Sequence, residues 1–298
     1  MLVWREANGL LLTPRKGDHP ELNMSHELNE DGCALYMSLV GQSQWLISLG
    51  CFDIACAIMT MSHFRAALRK GLMKSMKRIY GYVKQCPKGA IHVRLVLPNY
   101  SDLPLEKFEL TSIHRNIAEE LPSDMPMPQG KLVLTTTYEE ANLYHDYLTG
   151  RLVTGVLHLV NQTPINWYCK QQATVEMATY GSEFNAARTA MEQIMDMQYT
   201  LCMLGVWILD SYMFSDNQGV HMNSTVLHLQ LNKCHNALAY HRVHKAIVVK
   251  IMKFYKIDGK KNPSDIVSKQ CSYTDVWLHV KPLLFWHGDT SEIPDKGE

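Results

Sequence analysis

The stretch Leu132-Val133-Leu134-Thr135-Thr136-Thr137-Tyr138 opens a part of the chain in which strands and helices follow one another closely. It is rich in β-branched residues and predicts a buried strand. Residues 151–160, 165–169, 212–215 and 250–257 predict further strands, and the helices are predicted over 179–204, from 216, over 232–248 and after Pro263. The order β-β-β-α-β-α-α-β-α predicts an α+β fold, a mixed sheet with flanking helices.

Four acidic residues are carried by these elements in an order that lets them converge. Glu140 follows the first strand, Glu183 lies in the long helix, Asp216 ends a short strand, and Asp265 begins a late helix. Two divalent ions about 4 Å apart can activate water and stabilise the leaving oxygen in phosphodiester hydrolysis. Such ions prefer carboxylate oxygens. The four residues therefore indicate a candidate two-metal site.

Each of these carboxylates also has an ordinary structural interpretation. Asp216 and Asp265 stand at predicted helix starts, where an acidic side chain commonly caps the helix. Glu183 lies in a first turn, where it gains from the helix dipole. If the first strand continues, Asp146 shares a face with Glu140 and is a second candidate near it, although an exposed loop position is the favoured interpretation.

The residues before the sheet predict a lead-in, a helical region and a linker. Residues 1–34 are polar and punctuated by Gly and Pro, which predicts a poorly ordered lead-in. Residues 35–86 predict helices. Leu72, Met76, Ile79 and Val83 form one apolar stripe of the last of them. A short strand is expected over 91–97, and the five prolines of 98–130 predict a linker.

The charge distribution is uneven although the formal net charge is zero. No Asp or Glu occurs from Ile54 to Ser101, where nine Lys or Arg residues lie, and a second basic stretch runs over 233–269. Clustered positive charge is typical of a nucleic-acid contact surface, and equally of a solvated helix face. The candidate contact residues on the last helix of the basic stretch are Arg69, Lys70, Lys74, Lys77 and Arg78.

Composition and cysteine spacing narrow the class of protein. A hydrophobic fraction of 46% and a charged fraction of 19% are ordinary for a globular chain. The eight cysteines show no paired spacing, which argues against a zinc site or a disulfide framework. The first residues lack the apolar core of a secretory signal. The expected location is therefore intracellular, cytoplasmic or nuclear.

Seven short motifs occur in one order along the chain, and together they resemble copia-type retrotransposon polyproteins. The helical region contributes a Tyr-x-Ser-Leu-x-Gly motif followed by an Asp-Ile-Ala motif. Residues 154–269 contribute the other six motifs. These motifs are 36–41 with 52–55, Thr154-Gly155, Trp167 to Gln172, Gly181 to Phe184, Asp216-Asn217-Gln218, 233–236 and Ser264 to Lys269.

The resemblance implies the end of a reverse transcriptase followed by its ribonuclease H domain. Residues 35–97 would be a thumb-like helical remnant of the polymerase, 98–130 a Pro-rich linker, and 131–298 a ribonuclease H-like domain with a mixed sheet and flanking helices. Glu140, Glu183, Asp216 and Asp265 would hold two Mg²⁺ or Mn²⁺ ions. The RNA strand of an RNA–DNA hybrid would be cleaved, and upstream polymerase or integrase segments of the parent polyprotein are further expected partners.

Several positions depart from the pattern of that family. Glu140 stands where the resemblance has Asp, Cys169 replaces a Ser, and Val267 replaces a Leu. No Tyr-x-Asp-Asp sequence occurs, so no polymerase activity is expected. The longer side chain of Glu140 predicts a displaced ion and impaired hydrolysis, since misplacement by about 1 Å can cost on the order of 10²-fold in rate. The alternative function is a catalytically silent nucleic-acid-binding remnant.

Overall fold

The computed structural model describes residues 19–85, 89–104, 123–142, 146–173, 179–225, 237–269 and 282–286 of the 298-residue chain. The predicted motif at 233–236 lies outside these ranges. Among the described helices, none is both long and apolar enough to cross a bilayer.

Three helices form the first part of the molecule: α1 (Glu30–Ser48), α2 (Ala55–Ser62) and α3 (Lys70–Gln85). The side chain of Asn29 caps α1 by accepting a hydrogen bond from the Gly32 N–H at 3.0 Å. The predicted apolar stripe of α3 is confirmed, because Leu72, Met76 and Ile79 are buried in one cluster and Val83 packs against it. The lysines of α3 lie on its solvent-exposed side.

The described part of the expected lead-in is held against the start of α3. The backbone N–H of Leu28 donates to the Leu68 carbonyl at 2.8 Å, and that of Lys70 donates to the His26 carbonyl at 2.9 Å. The Arg69 guanidinium donates to the Ser25 carbonyl at 2.8 Å. Residues 19–29 therefore make defined contacts with the helical part.

Two sheets follow in the chain. A small one pairs β1 (Gly89–Ile91) with β7 (Leu284–Trp286). The main one has the spatial order β4-β3-β2-β5-β6, in which β2, β3 and β4 are antiparallel and β5 and β6 are parallel to β2. Its elements are β2 (Val133–Asn142), β3 (Val153–Val160), β4 (Thr163–Gln171), α4 (Thr179–Met203), β5 (Ile208–Ser215), α5 (Gln218–Thr225), α6 (Ala237–Val248), β6 (Lys253–Lys256) and α7 (Asp265–Ser268).

This order confirms the predicted α+β class, a mixed five-stranded sheet with flanking helices. The strand predicted over 91–97 is wrong beyond Ile91. There, the backbone N–H of Arg94 donates to the Thr163 hydroxyl at 2.7 Å, and the Leu95 carbonyl accepts from the Asn161 amide at 3.1 Å. These backbone groups thus bond to the side chains of Asn161, in the β3–β4 turn, and Thr163, at the start of β4, rather than to the backbone of a neighbouring strand.

Helices cover both faces of the main sheet. On one face α4 buries the predicted stripe of Ala187, Ala190, Ile194 and Met197, which confirms that expectation. On the other face Val267 of α7 packs in a second cluster with Phe52 and Leu157. Gly155 permits the close approach of α7, since a Cβ at this position would lie 2.6 Å from the Ser268 Cβ.

The helical part and the main sheet are in direct contact. The Trp167 indole N–H of β4 donates to the Ile47 carbonyl of α1 at 3.0 Å, and its ring lies 5.1 Å from the Phe52 ring, centroid to centroid. Because buried aromatic pairs contribute both apolar area and specific geometry, this contact ties α1 to the sheet.

The middle of the sheet buries neutral polar groups in pairs. The hydroxyls of Thr135 and Ser211 lie 2.5 Å apart. His158, which is fully buried, contacts the Thr137 hydroxyl at 2.8 Å through Nδ1 and the Gln193 amide oxygen at 2.9 Å through Nε2. Burial lowers the pKa of His158 to about 4, so the imidazole is neutral at pH 7.

Candidate metal centre

Three of the four predicted carboxylates converge at one end of the main sheet. β2 and β5 are parallel neighbours with Tyr138 opposite Phe214, so Glu140 and Asp216 lie side by side two residues further along. Helix α4 packs on β2 and brings Glu183 to the same place. One carboxylate oxygen from each of Glu140, Glu183 and Asp216 lies within 4.8 Å of the others.

These three carboxylates are crowded and poorly neutralised. Glu140 and Glu183 are only 4% and 5% exposed, whereas Asp216 is partly exposed. Burial raises the pKa of Glu140 to about 8, and the nearby Asp216 and Asp265 add to the rise against the opposing effect of Lys269. The pKa of Glu183 is raised by burial and then by Glu139, Glu140 and Asp216. A buried oxygen cluster short of positive charge fits a divalent cation.

The fourth predicted carboxylate, Asp265, is connected to this group through a lysine. The Lys269 ammonium lies 2.7 Å from Asp265 Oδ1 and 3.1 Å from Glu140 Oε1. Asp265 is the first residue of α7 and Lys269 follows four residues later, which places both side chains on the same side of that turn. Lys269 therefore supplies positive charge between the two carboxylates.

A further buried acid, Glu139, was missed by the sequence interpretation. It is fully buried, and burial is the first cause of its raised pKa, with the Ser215 hydroxyl acting in the opposite direction. Successive residues of a strand point to opposite faces, so a Glu-Glu pair in β2 must place one carboxyl on each side of the sheet. That signal could have identified Glu139 as a buried neighbour of the site.

Backbone and amide contacts hold the elements that carry the carboxylates. Glu183 Oε2 accepts a hydrogen bond from the Ala141 N–H at 3.2 Å, which fixes α4 to the end of β2. The buried Gln172 amide donates to the Thr154 hydroxyl at 2.9 Å and to the Ser182 carbonyl at 3.0 Å. These bonds locate the start of α4 against β3.

The ordinary structural roles predicted for Asp216 and Asp146 have different outcomes. Asn217, rather than Asp216, accepts the hydrogen bond from the Val220 N–H of α5, at 3.1 Å. Because β2 ends at Asn142, Asp146 is not on the strand. Instead, its carboxylate accepts from the backbone N–H groups of Leu148 and Thr149 at 2.9 and 3.2 Å. Asp216 is thus free to face the other carboxylates, whereas Asp146 stabilises a turn.

One side of the site is kept narrow by a glycine. A Cβ at Gly259 would lie 2.9 Å from Asp216 Oδ2. Any larger residue at position 259 would collide with this carboxylate oxygen and displace it. Glycine therefore leaves the room that Asp216 needs in its present position.

The residues predicted to contact nucleic acid differ in how far their side chains are exposed to solvent. Lys70, Lys74 and Lys77 are exposed on α3. The Arg69 guanidinium, in contrast, donates to the Ser25 carbonyl and lies 3.9 Å from the Glu27 carboxylate. Arg78 is half-buried. The three lysines are therefore the members of this set that present charge to solvent.

Several solved structures match part of this chain, and two of them carry ribonuclease H names. The N-terminal RNase H domain of a Mycobacterium tuberculosis protein matches 50% of this chain over 97% of its own length, with a TM-score of 0.37 and 6% identity. LC11-RNase H1 in complex with RNA/DNA hybrid matches 48% over 97% of its length, with a TM-score of 0.34 and 12% identity.

A foamy viral protease-reverse transcriptase in complex with RNA/DNA hybrid matches 71% of this chain, with a TM-score of 0.33 and 10% identity. The match covers 27% of the viral chain. No protein-family model and no curated protein sequence matches this chain.

Proposed function

We propose that this chain is a ribonuclease H-type hydrolase that cleaves the RNA strand of RNA–DNA hybrids with the help of divalent metal ions. The observation that carries the proposal is the convergence of Glu140, Glu183 and Asp216, whose carboxylate oxygens lie within 4.8 Å of one another. They come from the ends of two parallel strands and from the helix packed on them, so the fold itself sets their spacing.

The proposed ions are two Mg²⁺ or Mn²⁺. Glu140, Glu183 and Asp216 would hold the first, and Glu140 with Asp265 would hold the second. When bound, such ions lower the pKa of an attacking water and stabilise the leaving oxygen. The carboxylates would hold the ions, and their negative charge would balance the charge of the ions.

Hybrid recognition would rest mainly on the sugar–phosphate backbone and the 2′-hydroxyls. The exposed Lys70, Lys74 and Lys77 of α3 are proposed to add phosphate contacts. The copia-type origin, with a thumb-like remnant over 35–97 and a linker over 98–130, is proposed from the order of the sequence motifs. An intracellular site of action, cytoplasmic or nuclear, accompanies this proposal.

A silent nucleic-acid-binding remnant is the second candidate function. Two observations favour it: Glu140 occupies a position where the resembling family has Asp, and the Lys269 ammonium already pairs with that carboxylate. In this case the fold and the basic helix would persist without hydrolysis.

Cleavage of a labelled RNA–DNA hybrid in Mg²⁺ and in Mn²⁺ separates the two functions. The proposal expects cleavage by the wild-type chain and its loss in Asp216→Asn. Cleavage only by Glu140→Asp would establish the silent alternative. No cleavage by any variant would contradict the hydrolase and leave hybrid binding to be measured directly.

A further inference from the structure

A buried asparagine outside the predicted carboxylate set contacts the first of those carboxylates. Asn262 is fully buried in the turn that leads from β6 to α7. Its side-chain amide Nδ2 lies 3.0 Å from the Glu139 carbonyl and 3.4 Å from Glu140 Oε2. A single side chain therefore contacts both the backbone of β2 and the carboxylate that this strand contributes.

The orientation of this amide is fixed by groups that can play only one hydrogen-bonding role. The Ser264 N–H, which can only donate, lies 3.2 Å from Asn262 Oδ1, and the Ser264 hydroxyl donates to the same oxygen at 2.7 Å. The Glu139 carbonyl, which can only accept, faces Nδ2. Nδ2 must then point toward Glu140 as well.

The contact depends on the length of the glutamate side chain. Glu140 Oε2 faces Asn262 while Oε1 faces the Lys269 ammonium at 3.1 Å, so each oxygen has its own partner. An aspartate would end about 1.5 Å short, the length of one C–C bond. The two partners restrict the additional torsion that distinguishes Glu from Asp.

We propose that Asn262 is a positioning residue for Glu140, and that it makes a glutamate serve as a metal ligand where the resembling family uses an aspartate. The proposal rests on the metal-binding role assigned to Glu140 above. It gives the departure at position 140 a compensating partner in the same chain. Groups that orient a metal ligand in this way typically contribute about 10- to 100-fold to metal affinity.

A double-mutant cycle on Mn²⁺ affinity tests this pairing. Mn²⁺ alone is titrated into four proteins while free ion is followed by electron paramagnetic resonance: wild type, Asn262→Ala, Glu140→Asp and the double variant. Asn262→Ala is expected to weaken Mn²⁺ binding about tenfold or more in the Glu140 background. In the Glu140→Asp background, whose shorter side chain does not reach the amide, the same change is expected to alter affinity less than about twofold.

A structural role alone gives a different pattern. Loss of the bonds to Ser264 and Glu139 lowers the free energy of unfolding equally in both backgrounds, so unfolding measured on the same proteins separates it from the coupling. Asn161→Ala is the matched control, because Asn161 is also a buried asparagine that bonds to backbone groups, those of Leu134 and Leu95. It is expected to reduce stability and leave Mn²⁺ affinity unchanged.

The outcomes distinguish this inference from the proposed function. Equal losses of affinity in both backgrounds, or no loss in either, overturn the positioning role even if the hybrid is cleaved. Coupling without hybrid cleavage supports the positioning role and contradicts the hydrolase. No Mn²⁺ binding by any protein overturns both. Should Asn262→Ala not fold, Asn262→Ser, whose hydroxyl stops short of Glu140, carries the same cycle.

Discussion

The middle of the main sheet and the end where the carboxylates meet both bury polar groups, but they satisfy them differently. In the middle, His158 is neutral and contacts Thr137 and Gln193. At the end, Glu140 and Glu183 are buried among like charges, and the Lys269 ammonium lies beside Glu140. Burial of polar groups stabilises a fold when each finds a partner, and costs stability when charges are left unbalanced. The middle therefore serves stability, whereas the unbalanced charge at the end fits the metal site proposed above.

Removing one carboxylate should lower the rate of hybrid cleavage and raise the free energy of unfolding. Glu183→Gln is expected to reduce hybrid cleavage on the order of 10³-fold, as loss of a charge-stabilising group in an active site does. The same change should raise the free energy of unfolding at pH 8, because a repelled buried carboxyl is gone. Cleavage assays and denaturant unfolding check both effects.

Glu192→Gln is the matched control for this substitution, since Glu192 is a half-exposed glutamate of the same helix that pairs with Arg188 at 3.8 Å. Glu192→Gln should leave both hybrid cleavage and the free energy of unfolding nearly unchanged. A Glu183→Gln protein that is inactive and also less stable would mean that Glu183 is structural.

The carboxylate end should lose stability as the pH rises in the absence of ions. The folded-state pKa of Glu140 is raised from 4.5 to about 8, so between these values the folded state holds a proton that the unfolded state has released. The free energy of unfolding then falls with increasing pH across this window, by a few kcal/mol. Glu140→Gln should flatten the fall, as measured by denaturant unfolding from pH 5 to 8. An identical pH profile for both proteins would contradict the assignment.

The middle of the sheet should show the opposite pH dependence. The pKa of His158 is lowered from 6.5 to about 4, so the unfolded state takes up a proton first as the pH falls. Stability contributed by the neutral imidazole is present above pH 6.5 and is lost toward pH 4, by about 3 kcal/mol. His158→Gln should be less stable at pH 7 and lose less on acidification. Unfolding at pH 7, 5.5 and 4.5 tests this, and an unchanged acid slope would contradict it.

The smallest expected effect on the fold comes from the exposed face of α3. Lys74→Ala with Lys77→Ala should change the free energy of unfolding by less than about 0.5 kcal/mol, because both side chains face solvent. If these lysines bind phosphates, the slope of hybrid affinity against salt should fall by about 1 for each lysine–phosphate pair that the substitutions remove. The exposed Lys131, outside both basic stretches, provides the control substitution. An unchanged slope would exclude Lys74 and Lys77 from hybrid binding.

The order of the elements could be predicted because local sequence patterns determine each strand and helix. The run of β-branched residues in β2 and the helical spacing of Ala187, Ala190 and Ile194 each need only neighbouring residues. Glu140, Glu183 and Asp216 could be placed for the same reason, since each stands at the end of or within such an element. The order of the motifs then indicated that they converge.

The supporting contacts could not be predicted in this way. Asn262 lies 122 residues from Glu140, and no local pattern marks a side chain that bonds across such a separation. The extended segment after Ile91 has strand-like residues, but its backbone bonds go to the side chains of Thr163 and Asn161. Arg69 looked like a free cation, whereas its guanidinium binds the Ser25 carbonyl.

Unfolding at pH 8 with and without Mn²⁺ tests the central claim most directly, that the carboxylate end is balanced by a divalent ion. At an ion concentration about 100 times its dissociation constant, the wild-type free energy of unfolding should rise by about 2.7 kcal/mol. Asp216→Asn should gain much less at the same concentration. An equal gain in both proteins, or none in the wild type, would contradict a metal site formed by Glu140, Glu183 and Asp216.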